Sequence, residues 1–301
     1  MKTKQNWLAN LSLLLAAFIW GIAFSAQSVG MDYLGPFTFN GIRFIIGGIV
    51  LIPVIFIMKK ARHDEAVHDK NYYKKLVRAG IICGLFLGCA SSLQQMGLMY
   101  TAAGKAGFIT ALYVIMVPIF GLFLRKKPSF ILWISVGMAV VGMYFLCISG
   151  SVELNRGDLL VFICAILYTF HIMAIDRLSP GLDGVALSCI QFFTAGIFSS
   201  LIVPFTGEVI TAQAIKGCLI PLLYTGIFSS GVAFTLQVLG QQKTSPVMAS
   251  LLLSLESVFA AVMAWIILGQ AMSAREIFGG ALCFAAVVLA QLPIGIKAKE
   301  S

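Results

Sequence analysis

Charge is scarce in this chain. Only 11% of its 301 residues are Asp, Glu, Lys or Arg, where soluble domains carry roughly 25%. Apolar residues make up 59%, more than a soluble fold of this length can hide. Catalytic signatures are missing too. There is no GxxxxGK[ST] phosphate loop, which argues against direct ATP-driven pumping by this polypeptide, and no HExxH or GxSxG. Of the three histidines, His63 and His68 fall in a polar loop, so an intramembrane enzyme has little to work with. The seven cysteines (Cys83, Cys89, Cys147, Cys164, Cys189, Cys218, Cys283) show no CxxC spacing. They suggest neither a disulfide framework nor a metal site and are read as small apolar packing residues. No cofactor is called for. No small-residue cleavage site follows the first apolar run, which is read as a retained helix rather than a signal peptide.

Long apolar runs dominate the remainder. A helix crossing the hydrocarbon core needs about 20 mostly apolar residues, and charges, Gly and Pro divide the chain into ten such segments. They run from Leu8 to Gln27, Pro36 to Met58, Leu76 to Met99, Gly104 to Leu124, Ser129 to Ile148, Gly157 to Ile175, Gly184 to Phe205, Gly217 to Gly240, Ser245 to Leu268 and Arg275 to Gly295. Continuous apolarity, rather than alternation over about 10 residues, indicates helices and not barrel strands. The longest polar stretch, Lys59 to Lys75, is a loop and not a module.

With ten spans both termini share one side. Sixteen basic residues, from Lys2, Lys4 and the Lys59–Arg78 cluster through Arg125, Lys126, Lys127, Arg177 and Lys243 to Lys297 and Lys299, collect on that side. The other side holds Lys105, Arg156, Lys216 and Arg275. The positive-inside rule then places both termini in the cytoplasm of an inner (cell) membrane protein. The net charge of +9 is topology information, with attraction to anionic lipid headgroups as its companion. The basic loops lack interleaved stacking aromatics, so nucleic acid is not an expected partner.

The two halves echo each other. Gly41 to Ile49 falls on Cys189 to Ile197 with Ile, Phe, Gly and Ile coinciding, and the same register sets Trp20 opposite Tyr168. A slightly shorter register pairs Gly84 with Gly226, Phe86 with Phe228, Gln95 with Gln237, Gly137 with Gly279 and Ala139 with Ala281. Collinear order carries this evidence. A repeat of five spans, an odd number, enters the membrane from the opposite face the second time. The expected organisation is therefore two inverted five-helix repeats, residues 1–150 and 151–301. Such repeats meet around a midplane site and rock about it in alternating access.

Phe18-Ile19-Trp20-Gly21-Ile22-Ala23-Phe24, Arg43-Phe44, Ala103-Gly104-Lys105-Ala106-Gly107-Phe108-Ile109-Thr110 with Pro118, and Leu255-Glu256 together resemble the EamA branch of the drug/metabolite transporter superfamily over nearly the whole chain. The resemblance implies an all-α, polytopic ten-helix basket around a central cavity, moving small metabolites such as amino acids or drug-like solutes, often outward. The chain departs from the family pattern at Glu256-Ser257, where Glu-Pro is usual, which puts a proline kink there in question.

Glu256 lies near the centre of the ninth span, where a charge costs at least about 2.5 kcal/mol. It is a candidate for binding a cationic group or exchanging a proton, or else a protonated acid bonded between helices. Gln95 and Gln237 are repeat-matched amides that either face a cavity and hold a polar solute or join neighbouring helices. Trp20, Tyr113, Tyr168 and His171 can supply aromatic walls with polar handles. Core packing, and for His171 a neutral hydrogen-bonded ring, is the alternative. Arg43 follows Pro36 by about 10 Å of helix and is expected to reach the external interface. Lys105 begins the fourth span near that surface, and both are read as gate or anchor residues.

The expected function is secondary transport of small organic solutes by alternating access, as an efflux transporter of the cell membrane. The partners are a small-molecule solute, membrane lipids and protons, and a homodimer is compatible with this reading. A lipid-handling flippase of the same superfamily is the main alternative, and an intramembrane enzyme the weaker one.

Overall fold

The computed structural model describes residues 2–62, 69–123, 128–148, 155–268 and 272–292. His63, His68, Arg125 to Lys127, Lys297, Lys299 and the boundary set at residue 150 lie outside them. Among the described residues every regular element is helical. Ten helical segments are long and apolar enough to cross a membrane: Trp7–Gly30, Pro36–Lys60, Lys70–Leu98, Ala103–Phe123, Phe130–Cys147, Arg156–Leu178, Gly184–Thr206, Leu219–Gln241, Pro246–Met263 and Ala274–Gln291. The expected all-helical, ten-span architecture is therefore present. Large apolar side chains face outward, with Phe205 87% and Phe130 80% exposed, as lipid-facing residues must be.

Local chemistry sets the helix starts. The third span begins at Lys70, earlier than its apolar run, because the Asp69 carboxylate accepts the Tyr72 N–H at 2.8 Å. Asn155 with Asp158, and Ser273 with Glu276, form capping boxes that open the sixth and tenth spans, satisfying N–H groups that have no partner inside the helix. Ser245 caps the ninth span with Pro246 at its first position, where a missing N–H costs nothing.

Three spans are not regular α-helices. The fourth is broken at Leu112, between helices Ala103–Ala111 and Tyr113–Phe123. The ninth is broken at Ser254 and Leu255, between Pro246–Leu253 and Glu256–Leu268. No proline is needed for the second break. The Ser250 and Ser254 hydroxyls donate back to Val247 and Leu251 carbonyls at 2.9 and 2.8 Å, and the N–H groups of Leu255 and Ser257 bond three residues back at 3.3 and 3.4 Å. Serines bonded in this way bend helices. The eighth span contains a π-helical stretch, Tyr224–Phe234, a feature frequent at functional sites. Pro53 and Pro204 lie within continuous helices.

The packing order is simple. The first span lies against the eighth and ninth, the second against the seventh and eighth, the third against the sixth and seventh, the fourth against the sixth, and the fifth against the tenth. In lipid there is little hydrophobic gain between helices, so close backbone approach and interhelical hydrogen bonds hold the bundle. A Cβ on Gly142 would lie 2.7 Å from the Gly279 carbonyl oxygen, and one on Gly279 would lie 2.5 Å from that of Gly142. Gly137, paired with Gly279 in the repeat register, faces open space.

A further tie links distant segments. Gly207 ends the seventh span with φ of 70°, a left-handed conformation that suits glycine. The chain turns so that the Glu208 carboxylate accepts the N–H groups of Phe37 and Thr38 at 3.0 and 2.8 Å. An acid from the end of the seventh span thus caps the second.

All seven cysteines are free, and five of them are buried.

Candidate functional site

A cavity with about 470 Å³ of empty space, its opening included, lies among the first, second, third, fourth, sixth, eighth and ninth spans. The two interrupted spans supply Tyr113 and Glu256, each at the first residue of the half-helix that follows a break. Glu256 is 4% exposed, and its Oε1 accepts the Tyr113 hydroxyl at 3.4 Å. Its position in the first turn of Glu256–Leu268 sets the carboxyl beside the positive end of a helix dipole.

Arg43 corrects an expectation. Instead of reaching the interface it is 1% exposed and sits on the cavity wall. Its Nη1 donates to Gln27 Oε1 at 2.9 Å, and its guanidinium lies 4.7 Å from the centre of the Phe44 ring and 5.8 Å from that of Phe39. The amide oxygen and the aromatic faces replace water locally, so the side chain has no need to snorkel. Its Nε has no partner. Arg43 and Glu256 therefore line one cavity, and no ion pair joins them, whereas Lys105 and Asp158 form one. A guanidinium and a carboxyl thus border the same cavity.

The Trp20 and Phe234 rings meet tilted at 57° with centroids 4.5 Å apart, and the indole N–H donates to the Ser229 carbonyl in the π-helical stretch at 3.2 Å. The Tyr168 hydroxyl meets Ser91 Oγ at 3.0 Å and Gln94 Oε1 at 3.4 Å. Gln94 Nε2 in turn donates to Thr110 at 3.1 Å. Gln237 lines the cavity with an unpartnered Oε1. The expected residues Trp20, Tyr113, Tyr168, Gln237, Glu256 and Arg43 are thus brought together.

Three others stand elsewhere. Gln95 turns away, donating to the Gln27 carbonyl at 3.3 Å, and its neighbour Gln94 takes the cavity wall, because one residue rotates a helix by about 100°. His171 packs one layer behind, edge-on to Tyr168 and Phe234, with Nε2 3.2 Å from Gln191 Oε1. Lys105 binds Asp158 at 2.7 Å, in a cluster where the Thr101 hydroxyl approaches both Asn155 and Asp158 at 2.8 and 3.0 Å. It ties the starts of the fourth and sixth spans and does not line the cavity. The sequence reading missed Gln27, Gln94 and Thr110, although a polar residue in each apolar run was the available signal. Among the described residues no three His, Cys, Asp or Glu side chains gather as a metal site.

Comparison with known proteins adds the family. A sequence profile described as the EamA-like transporter family matches residues 7–148 and again 155–292. A protein of Archaeoglobus fulgidus named "Uncharacterized transporter" is 32% identical over 294 residues, covering 95% of this chain and 86% of that one. The "Uncharacterized inner membrane transporter YedA" of Escherichia coli (strain K12) is 22% identical over 277 residues, covering 90% of this chain and 87% of its own. A solved structure titled "Crystal structure of protein" superposes with a TM-score of 0.75 at 18% identity, covering 94% of this chain and 96% of that chain, a likeness of fold.

Proposed function

This chain belongs to the EamA-like transporter family, a multi-pass membrane protein, and from that premise we propose that it carries small zwitterionic metabolites such as amino acids outward across the inner membrane by alternating access. The observation that carries this reading is that Arg43 and Glu256, both buried, line one cavity without an ion pair between them. A buried charge gains most from a counter-charge, and a solute bearing both a carboxylate and an ammonium group supplies one to each. The guanidinium suits the planar carboxylate, while the carboxyl of Glu256, beside Tyr113, takes the ammonium. Trp20 and Phe234 give the remainder of the solute an apolar, aromatic face.

Glu256 is also the group that exchanges a proton. With the solute absent, a proton neutralises the carboxyl. With an ammonium bound, the carboxylate is countered and the proton leaves. Solute and proton then alternate at one site.

An inverted duplication of residues 1–150 and 151–301 fits the pattern of neighbours. Advancing every span number by five, and returning past ten, converts the contact of three with six into that of eight with one, three with seven into eight with two, and four with six into nine with one. Two with seven and five with ten map onto themselves. The breaks in spans four and nine correspond in the same way. Interrupted helices at matched positions are where such transporters place their solute. Both termini are assigned to the cytoplasm from the basic bias of the loops.

Purified protein in proteoliposomes, tested with a panel of amino acids, their des-amino and des-carboxy analogues and amphipathic cations, tests this reading. Saturable movement that requires both charged groups on the solute is expected. Lipid scrambling without solute movement overturns it.

A further inference from the structure

On the outer surface of the bundle, the third, fourth and sixth spans border a second, open hollow with about 740 Å³ of empty space, its mouth included. Phe86, Phe120, Phe123 and Phe170 form its walls, and Arg177 stands at one end. The rings hold one another, with Phe120–Phe170 at 5.0 Å and Phe86–Phe170 at 5.9 Å. A hollow with this lining gives water almost nothing to bond to, and in a bilayer its neighbour is hydrocarbon. Its shape and lining suit a flexible acyl chain.

The polar end selects the rest of the molecule. Arg177 is exposed in the last turn of the sixth span. Phe170 precedes it by seven residues, which is about 10 Å of helix, so a headgroup at Arg177 leaves its chain alongside the rings. The third span begins on the face where the sixth ends, and Leu76 and Ala79 pack there against Ala174, Ile175 and Leu178. That start carries exposed Lys74, Lys75 and Arg78. The acid beside Arg177 is Asp176, which is half-buried and has interactions of its own. Arg177 is the one charged residue among the described residues lining the groove.

We propose that this groove is a binding site for an anionic glycerophospholipid, with its phosphate at Arg177 and one acyl chain lying against the four phenylalanines. The site is separate from the central cavity and stands whatever solute is carried. It braces the second half of the fourth span, Tyr113–Phe123, against the sixth.

Native mass spectrometry of delipidated protein, titrated with phosphatidylglycerol and phosphatidylcholine of identical chains, is the test. Wild type is expected to retain phosphatidylglycerol about fivefold better, the ratio equivalent to ~1 kcal/mol per basic residue at a membrane surface. Arg177→Gln is expected to bring that ratio close to one while melting as wild type does. As a second readout, Phe123→Trp, at an exposed position, places a fluorophore in the groove. With wild-type emission subtracted, it is expected to be quenched more by chain-brominated phosphatidylglycerol than by the brominated choline lipid. No preference in wild type, a preference unchanged in Arg177→Gln, or equal quenching by the two lipids overturns the proposal.

Discussion

Replacing Glu256 by glutamine preserves shape and removes charge, which makes it the sharpest probe of the central cavity. The carboxyl is buried, and its Oε1 accepts a long 3.4 Å bond from Tyr113, so most of its capacity is available to a solute. A charge-assisted hydrogen bond contributes ~1.5–3 kcal/mol. Its loss corresponds to an increase of about 10- to 150-fold in KM for a zwitterionic solute. A des-amino analogue never engages the carboxyl and is expected to change by less than about threefold. The assay is proteoliposome counterflow with labelled solute, measured for both compounds in both proteins. A second readout is pH: Glu256→Gln is expected to abolish proton-coupled uphill movement while leaving counterflow measurable. Equal losses for the two solutes would show that the substitution damages the bundle rather than ammonium recognition. Unchanged pH dependence would remove Glu256 from coupling.

Gln94 and Gln95 provide a matched pair. Gln94→Ala is expected to raise KM about fivefold or more, from one lost hydrogen bond of ~1 kcal/mol, whereas Gln95→Ala lowers the melting temperature in detergent and leaves KM alone. The reverse pattern would invert their assignment. Gly142→Val sets side-chain atoms against the Gly279 backbone and is expected to destabilise the bundle by ~1–3 kcal/mol, read as a lower melting temperature; an unchanged one would mean that the fifth and tenth spans separate freely. For the Lys105–Asp158 pair, Lys105→Gln, Asp158→Asn and the double variant are expected to be non-additive by ~1 kcal/mol in stability. Strict additivity would show that the pair does not tie the fourth span to the sixth.

The span count, the all-helical class and the central acid at Glu256 were legible because they rest on local properties. Hydrophobic length is read within about 20 residues, and a charge in the middle of such a run stands out wherever the helix is placed. The ninth-span break was half legible: the absence of proline after Glu256 was plain, but the bend came from Ser250 and Ser254, whose hydroxyls bond their own backbone. Arg43 was visible as a residue and misread as to place. Its distance from Pro36 suggested an exit to water, but Gln27 from another span and the Phe39 and Phe44 rings supply the environment that keeps it buried.

What the sequence determined by itself was the number of crossings and the kinds of side chain inside them, since each helix must satisfy its backbone internally and cover its own length with apolar residues. Only the tertiary structure decided which faces turn inward. Gln94 and Gln95 differ by one step of rotation, and so does solute wall from interhelical bond; Gly142 meets Gly279 while Gly137 meets nothing. Such choices depend on the rotation of each helix against neighbours far away in the chain, and no local pattern records that angle.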